Sequence, residues 1–258
     1  MYTFKSRIRY SETDKTGRLA IPSMVNYFQD CSNFQSEELG VGYKELLERG
    51  KGWILTSWHI EIYRTPELCE EVTIGTFASD FKGFYGNRNF VMLDDDGKVL
   101  GCADSTWVLM DVHKGRPIKP APEDIQHYEV LPSLSLETQG RKIKRIEGAA
   151  SLPPFRVQRH QLDTQNHVNN CQYIQMALDG ISEELSVKRI RVEYKKAAVS
   201  EDVIVPGLGH EEGRTVVELC DEEGNPYALV EVSEQVSEGV MSSRALRDYL
   251  NGKRKDCD

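Results

Sequence analysis

Apolar residues along the chain switch between helical and strand spacing in one order, and that order runs through twice. In the first pass, Arg7-Ile8-Arg9 and Ser11-Glu12-Thr13-Asp14 lead into Met24, Tyr27, Phe28, Cys31 and Phe34, which recur on one helical face. Pro22 suits the first helical position and Gly40 a helix stop. A short helix over 43–48 ends at Gly50. Strict alternation follows, with Trp58, Ile60 and Ile62 set against His59, Glu61 and Tyr63 until Pro66 breaks the strand. Strands are predicted over 72–77, 88–93 and 99–110, the last two flanking the polar turn Asp94-Asp95-Asp96-Gly97. Residues 114–134 carry Pro117, Pro120, Pro122 and Pro132 and read as a connector, with a short helix near 123–127.

The second pass opens near Leu152 with Phe155-Arg156-Val157. A helix is predicted over 171–184, with Ile174, Ala177, Leu178, Ile181 and Leu185 as its apolar stripe and Asn169 or Asn170 as N-cap. Strands follow over 189–194, 202–208, 214–220 and 227–232, and Asp221-Glu222-Glu223-Gly224-Asn225 marks a hairpin between the last two. A terminal helix is expected over 244–250 and a frayed tail over 253–258. Each half thus reads strand, helix, four strands, and the helix stripe must face the sheet that follows it. The expected fold is α+β: tandem hotdog units, each a long helix wrapped by an antiparallel sheet, divided at 1–134 and 135–258. Asp14-Lys15-Thr16-Gly17-Arg18-Leu19 aligns with Asp163-Thr164-Gln165-Asn166-His167-Val168. Tyr27-Phe28 then falls opposite Tyr173-Ile174 if a three-residue length difference intervenes, and the whole pattern marks internal duplication.

Composition narrows the classes. Hydrophobic residues at 39% supply a core, and no run approaches the ~20 apolar residues of a membrane helix. The opening MYTFKSRIRYSETD lacks a signal-peptide core, so a cytoplasmic protein is expected. A net charge of −9 argues against general nucleic-acid binding. The six cysteines are scattered without a CxxC pair, so reduced thiols are expected rather than a disulfide framework, and neither a metal nor an organic cofactor is indicated. Two basic runs, Arg141-Lys142-Ile143-Lys144-Arg145 and Lys188 to Lys196, read either as solvated faces or as docking patches.

Candidate chemistry gathers at Asp163, Gln165 and His167. In an extended segment these alternate positions share one side. Asn169 and Asn170 follow at a helix start, whose unpaired N–H groups could polarise a carbonyl. His167 suits proton transfer near neutral pH, and Asp163 could orient it or act as a base toward water. The implied chemistry is addition of water to an activated carbonyl. A capped turn is the alternative, since Asp and Asn favour such places. His59, His113, His127, His160 and His210 stand apart from any comparable cluster. Asn166, Asn169 and Asn170 are candidate substrate contacts. Trp53, Trp58 and Phe84 are candidates for lining an apolar substrate pocket, with core packing as the competing duty.

The run Leu162-Asp163-x-x-Asn166-His167-Val168-Asn169-Asn170-x-x-Tyr173 resembles the signature of plant and bacterial acyl-ACP thioesterases. Ile190 to Lys196, Tyr10 to Asp14, Met24 to Gln29 and Gly52 to Leu55 resemble the same family, so the likeness spans nearly the whole chain. It implies a double hotdog that hydrolyses fatty acyl-ACP to free fatty acid and holo-ACP in fatty acid biosynthesis. The implied partner is acyl carrier protein bearing a fatty acyl thioester, with no nucleic acid and no membrane span. A homodimer is left open. The family's catalytic Asp and His match Asp163 and His167, while Gln165 stands where its Asn would be. Its Glu falls at Ala197, and the neighbouring Cys of plant members at Ala198. A thiol mechanism at Ala198 is therefore excluded. Cys171, at a helix N-terminus, is an imperfect substitute. Direct attack by water is the preferred reading. Acyl-CoA hydrolysis and non-catalytic acyl binding are the alternatives.

Overall fold

The computed structural model describes residues 1–134, 136, 140–181 and 185–236. The expected terminal helix and tail lie outside the described residues. The elements run β1 (Tyr2–Arg7), α1 (Ile21–Glu38), α2 (Tyr43–Glu48), β2 (Lys51–Ile62), β3 (Glu71–Lys82), β4 (Tyr85–Asp94), β5 (Val99–Asp111), β6 (Arg116–Pro117), α3 (Pro122–Ile125), β7 (Ala150–Ser151), β8 (Phe155–Arg156), α4 (Asn170–Asp179), β9 (Arg189–Tyr194), β10 (Val203–Glu211), β11 (Arg214–Cys220) and β12 (Pro226–Ser233). The described residues form two compact units: residues 1–55 with 61–136, and Thr56–Ile60 with 140–236.

In the first unit the strands run β1-β3-β4-β5, all antiparallel, with β6 paired to β5. Helix α1 packs on β3 and β1. It buries Met24, Tyr27, Phe28 and Cys31 of the predicted stripe together with Val25, whereas Phe34, the last residue of that stripe, is exposed. Phe28 meets Phe90 of β4 with ring centroids 5.5 Å apart. Each large apolar side chain so buried contributes about 1.5–3 kcal/mol. Pro22 stands in the first turn of α1, and Gly40 leaves the helix at φ +69°, a conformation glycine adopts without strain.

In the second unit the order is β9-β12-β11-β10-β7, again antiparallel, with β8 on β10. Helix α4 packs on β11 and β12 and buries Cys171, Tyr173, Ile174, Met176 and Ala177. Each unit is a helix laid on an antiparallel sheet, the tandem hotdog plan expected from the sequence.

Several elements differ from their predicted bounds; β3 and β4, for example, run to Lys82 and from Tyr85, beyond the predicted 72–77 and 88–93. Strand β1 ends at Arg7, and Ile8 is a buried residue beyond it rather than its centre. Strand β2 begins at Lys51 rather than near Trp58, because Gly52, Thr56 and Ser57 interrupt the apolar alternation. Helix α4 stops at Asp179 and does not run to 184. Gly180 caps it there, and a Cβ at that position would sit 2.8 Å from Leu152 Cδ1. Leu152 packs closely against this glycine, and glycine weakens a helix interior by about 1 kcal/mol.

The β11–β12 hairpin turns on Asp221. Its Oδ1 accepts from Asn225 N–H at 2.8 Å and Glu223 N–H at 3.1 Å, and its Oδ2 accepts from Lys196 Nζ at 2.9 Å. The Lys196 hydrogen bond, joined by those from Asn225, holds the carboxyl down at about 2. A depressed pKa stabilises the fold above the unfolded value of about 3.9. That contribution fades as pH falls through about 2. Thermal denaturation should therefore show Asp221→Asn melting below wild type at about pH 6, with the gap closing between about pH 4 and pH 2.

Candidate active site

The segment from Gln158 to Asn170 is built by local hydrogen bonds. A single 3₁₀ turn, Arg159–Gln161, opens it, and the Gln161 side chain accepts from Gln158 N–H at 2.8 Å. The chain then reverses. Leu162 and Val168 form an antiparallel bridge. Asp163 N–H donates to His167 O at 2.8 Å, and Asn166 N–H to Asp163 O at 3.1 Å. Asp163 Oδ1 accepts from the N–H groups of Gln165 at 2.8 Å and His167 at 3.3 Å. This is an Asx-type turn, in which a carboxylate substitutes for a backbone acceptor.

The extended segment expected for Asp163, Gln165 and His167 is thus replaced by a tight turn. Carboxylate bonding to two amides within four residues overrides alternation. Asn166 sits at φ +58°, a region Asn tolerates better than most residues. Asp163 is half-buried, while Gln165, Asn166 and His167 are exposed. No hydrogen bond joins the Asp163 carboxylate to the His167 ring among the described residues.

The same turn occurs in the first unit. Asp14 N–H donates to Arg18 O at 2.8 Å, and Asp14 Oδ1 accepts from Thr16 N–H at 2.8 Å and Arg18 N–H at 3.4 Å. Gly17 takes the left-handed position at φ +76°. The loop that each turn contacts is also repeated. Leu19 N–H donates to Pro66 O at 2.8 Å, as Val168 N–H does to Ala198 O at 2.9 Å. Arg18 bridges to Glu67, and His167 to Val199. Cys69 and Glu201 share positive φ values of 67° and 70°. Helix α1 starts at Ile21 and α4 at Asn170, so the turn alignment carries straight into the helices. Met24 therefore faces Tyr173 in the alignment, and the three-residue shift that pairs Tyr27 with Tyr173 is not needed.

The two turns differ in what they present. In the first unit, Arg18 Nη2 donates to Glu67 Oε1 at 2.5 Å and Nη1 to Thr65 O at 2.9 Å. In the second, the corresponding residue is His167, which is exposed.

Asn169, not Asn170, is the N-cap of α4, and its Oδ1 accepts from Cys171 N–H at 3.0 Å. Its carbonyl takes Gln172 N–H and its own N–H goes to Gln161 O, each at 2.9 Å. The expectation of unpaired helix amides is corrected accordingly, since Asn169 satisfies two of them itself. Cys171 is 2% exposed, which removes it from the surface that Gln165 and His167 share. Glu193 is engaged elsewhere, accepting from Ile143 N–H at 2.9 Å and pairing with Lys195 at 2.5 Å. Trp58 is buried and Trp53 half-buried.

Two tyrosines fix the site from below, a role that sequence spacing did not reveal. Tyr173 Oη accepts from Ala198 N–H at 2.8 Å, and Tyr194 Oη donates to Asn170 O at 2.9 Å. The rings meet edge to face, 5.7 Å apart. Burial pushes the Tyr173 hydroxyl up to about 12 and that of Tyr194 well above its usual value, so both stay protonated. Ala197 is exposed, whereas Ala198 is fully buried with both backbone groups bonded.

The basic runs are largely neutralised. Arg191 and Arg189 lie 3.0 and 3.9 Å from Glu231, Lys196 lies 2.9 Å from Asp221, and Arg145 Nε donates to Glu218 at 2.7 Å. Lys142 and Lys144 remain exposed.

Residues 1–128 match the acyl-ACP thioesterase N-terminal domain, and residues 144–231 match the acyl-ACP thioesterase C-terminal domain. The chain belongs to the acyl-ACP thioesterase family. Among curated relatives, oleoyl-acyl carrier protein thioesterases 2 and 1 of Arabidopsis thaliana are 28% and 30% identical over 225 residues, 79% of this chain. The chain spans 61% and 62% of those relatives' length. An acyl-ACP thioesterase structure from Bacteroides thetaiotaomicron superposes with a TM-score of 0.82 at 22% identity, covering 90% of this chain and 96% of that one. A 12:0-ACP thioesterase from Umbellularia californica gives 0.81 at 16% identity, covering 92% and 97%. These two likenesses establish the fold.

Within this member of the family, Tyr173→Phe isolates the support of the site. It strands the buried Ala198 N–H, so urea denaturation should register a loss of about 1–3 kcal/mol. A change within error of zero would remove Tyr173 from this role.

Proposed function

We propose that this protein hydrolyses fatty acyl thioesters carried on acyl carrier protein. The observation that carries the reading is the duplicated Asx turn, closed by an Arg18–Glu67 pair in one unit and presenting exposed His167 in the other. Water adds to the thioester carbonyl carbon, the C–S bond breaks, and the products are a fatty acid and the carrier's thiol. His167 takes the proton from water and returns it to the departing sulfur. Gln165, exposed on the same turn, donates to the carbonyl oxygen as it gains charge. Asp163 holds the turn and so positions His167. Asn169 and Asn170 shape the helix entrance, and Asn166 supplies the left-handed backbone. Trp53 is assigned to the acyl chain, and buried Trp58 to core packing.

Exposed Lys142 and Lys144 are the cations assigned to the acidic carrier. A reducing, cytoplasmic setting suits the free thiols of Cys31, Cys69, Cys102, Cys171 and Cys220. No helix among the described residues is long and apolar enough to cross a membrane. Alanine at 197 and 198, where the family resemblance implies a carboxylate and a thiol, favours a second reading as a non-catalytic acyl-binding protein.

Turnover of matched acyl-ACP and acyl-CoA substrates decides among these readings. The proposal expects faster hydrolysis of acyl-ACP. It also expects His167→Ala to cut the rate by at least ~100-fold, while Cys171→Ser retains most activity. Faster acyl-CoA turnover would reassign the carrier. Stoichiometric retention of acyl groups without hydrolysis would establish the binding protein.

A further inference from the structure

Between β9 and β10 the chain from Lys195 to Asp202 lies against the turn that carries His167. His167 and Val199 form an antiparallel backbone bridge, and Val168 N–H donates to Ala198 O at 2.9 Å. Val199 N–H is itself held by a carboxylate, donating to Asp202 Oδ2 at 3.0 Å. Tyr227 Oη, from β12, donates to the same oxygen at 3.1 Å. Asp202 closes the loop through its backbone as well. Its N–H donates to Val199 O at 3.2 Å, and its O accepts from Val157 N–H at 2.9 Å. Burial, together with the hydrogen bond to Asp202, pushes the Tyr227 hydroxyl up to about 12, so it stays protonated and keeps donating.

The first unit contains the same loop with a different lock. Glu67 N–H donates to Glu70 Oε2 at 2.9 Å, as Val199 N–H does to Asp202. The N–H groups of Tyr63 and Arg64 both donate to Leu100 O, as those of Lys195 and Lys196 both donate to Tyr227 O. Arg64 therefore corresponds to Lys196, and Leu100 to Tyr227. Arg64 grips Glu70 through Nη1 at 2.8 Å and Nη2 at 2.5 Å, and Nη2 also reaches Asp94 at 3.5 Å. One guanidinium fork thus spans two carboxylates. Lys196 offers a single ammonium, which goes to Asp221, the counterpart of Asp94 at the hairpin turn, at 2.9 Å. The other carboxylate, Asp202, is held instead by the Tyr227 hydroxyl, where Leu100 has no polar side-chain atom. A lost guanidinium at one position is matched by a new hydroxyl at another, and the carboxylate keeps its grip on the loop amide.

We infer that Asp202, held by Tyr227, is a positioning residue for His167: it fixes the stretch at Val199 to which the His167 backbone is bridged. His167 is then set from two sides, by Asp163 within its own turn and by Asp202 across the bridge. A proton carrier displaced by about 1 Å loses rate even where the substrate still binds, so the signature falls on kcat rather than KM. The effect on rate rests on the hydrolysis proposal. The effect on the loop does not.

Amide hydrogen exchange and steady-state hydrolysis of acyl-ACP by the full chain test it together. Asp202→Ala should speed exchange of the Val199 and Val168 amides about tenfold or more, the factor expected for a lost hydrogen bond to an ionised acceptor. It should also lower kcat about tenfold or more while KM stays within about twofold. Asp202→Asn still offers an oxygen to both donors and should recover most of each loss. Glu70→Ala, which removes the counterpart carboxylate of the first unit, should leave kcat unchanged. Unchanged exchange at Val199 and Val168 in folded Asp202→Ala would overturn the inference. So would Asp202→Asn turning over as slowly as Asp202→Ala, which would make Asp202 a base, or Glu70→Ala slowing turnover equally, which would make the effect one of general stability. Should Asp202→Ala unfold, Tyr227→Phe removes the hydroxyl alone and should speed the same two amides; no change there would equally overturn it. A wild type that does not hydrolyse acyl-ACP defeats the hydrolysis proposal, and the exchange rates then decide the inference by themselves.

Discussion

One carboxylate oxygen accepting two backbone amides governs the site. Hydrogen bonds to an ionised acceptor are worth about 1.5–3 kcal/mol each, enough to impose a turn on residues whose side chains do not pack. With Asp163 holding Gln165 and His167 amides, the chain reverses and Val168 docks on Ala198. Asn169 then starts α4, and Tyr173 returns from that helix to hold Ala198. Turn, helix start and opposing loop therefore lock one another. The His167 side chain lies outside this circuit and is exposed.

The first unit shows what this scaffold does without the imidazole. Asp14 makes the same turn, Leu19 docks on Pro66, and the loop beyond repeats the positive φ at Cys69. There Arg18 is spent on Glu67 and Thr65. Guanidinium stays protonated near neutral pH and serves poorly as a proton carrier. A shared fold thus carries two different surfaces, one closed by an ion pair and one presenting an exposed imidazole. The carboxylate at the turn accepts two backbone amides in both.

Much of this was legible in the residues. The helical stripe of α1, the hairpins at Asp94–Gly97 and Asp221–Asn225, and the correspondence of Asp14 with Asp163 all follow from local spacing and turn chemistry. Local spacing misread the shape of the Asp163–His167 segment, because alternation of polar residues looks the same in a strand and in an Asx turn. Long-range contacts were out of reach. Nothing near Gly180 announces Leu152, and nothing near Tyr173 announces Ala198. The basic run from Lys188 to Lys196 looked like an open face, yet its partners Glu231 and Asp221 lie on β12 and in the turn that precedes it.

The central claim is that Asp163 positions His167 through the backbone and does not itself take the proton from water. Steady-state hydrolysis by Asp163→Asn tests it most directly, with Asp14→Asn as the matched control. Asparagine keeps the Asx-turn oxygen but cannot act as a base. The account predicts that Asp163→Asn keeps kcat within about tenfold of wild type, well short of the ~100-fold loss expected for a positioned acid–base group, and that both variants lose similar small amounts of stability. An Asp163→Asn variant with intact fold and activity as low as His167→Ala would contradict it.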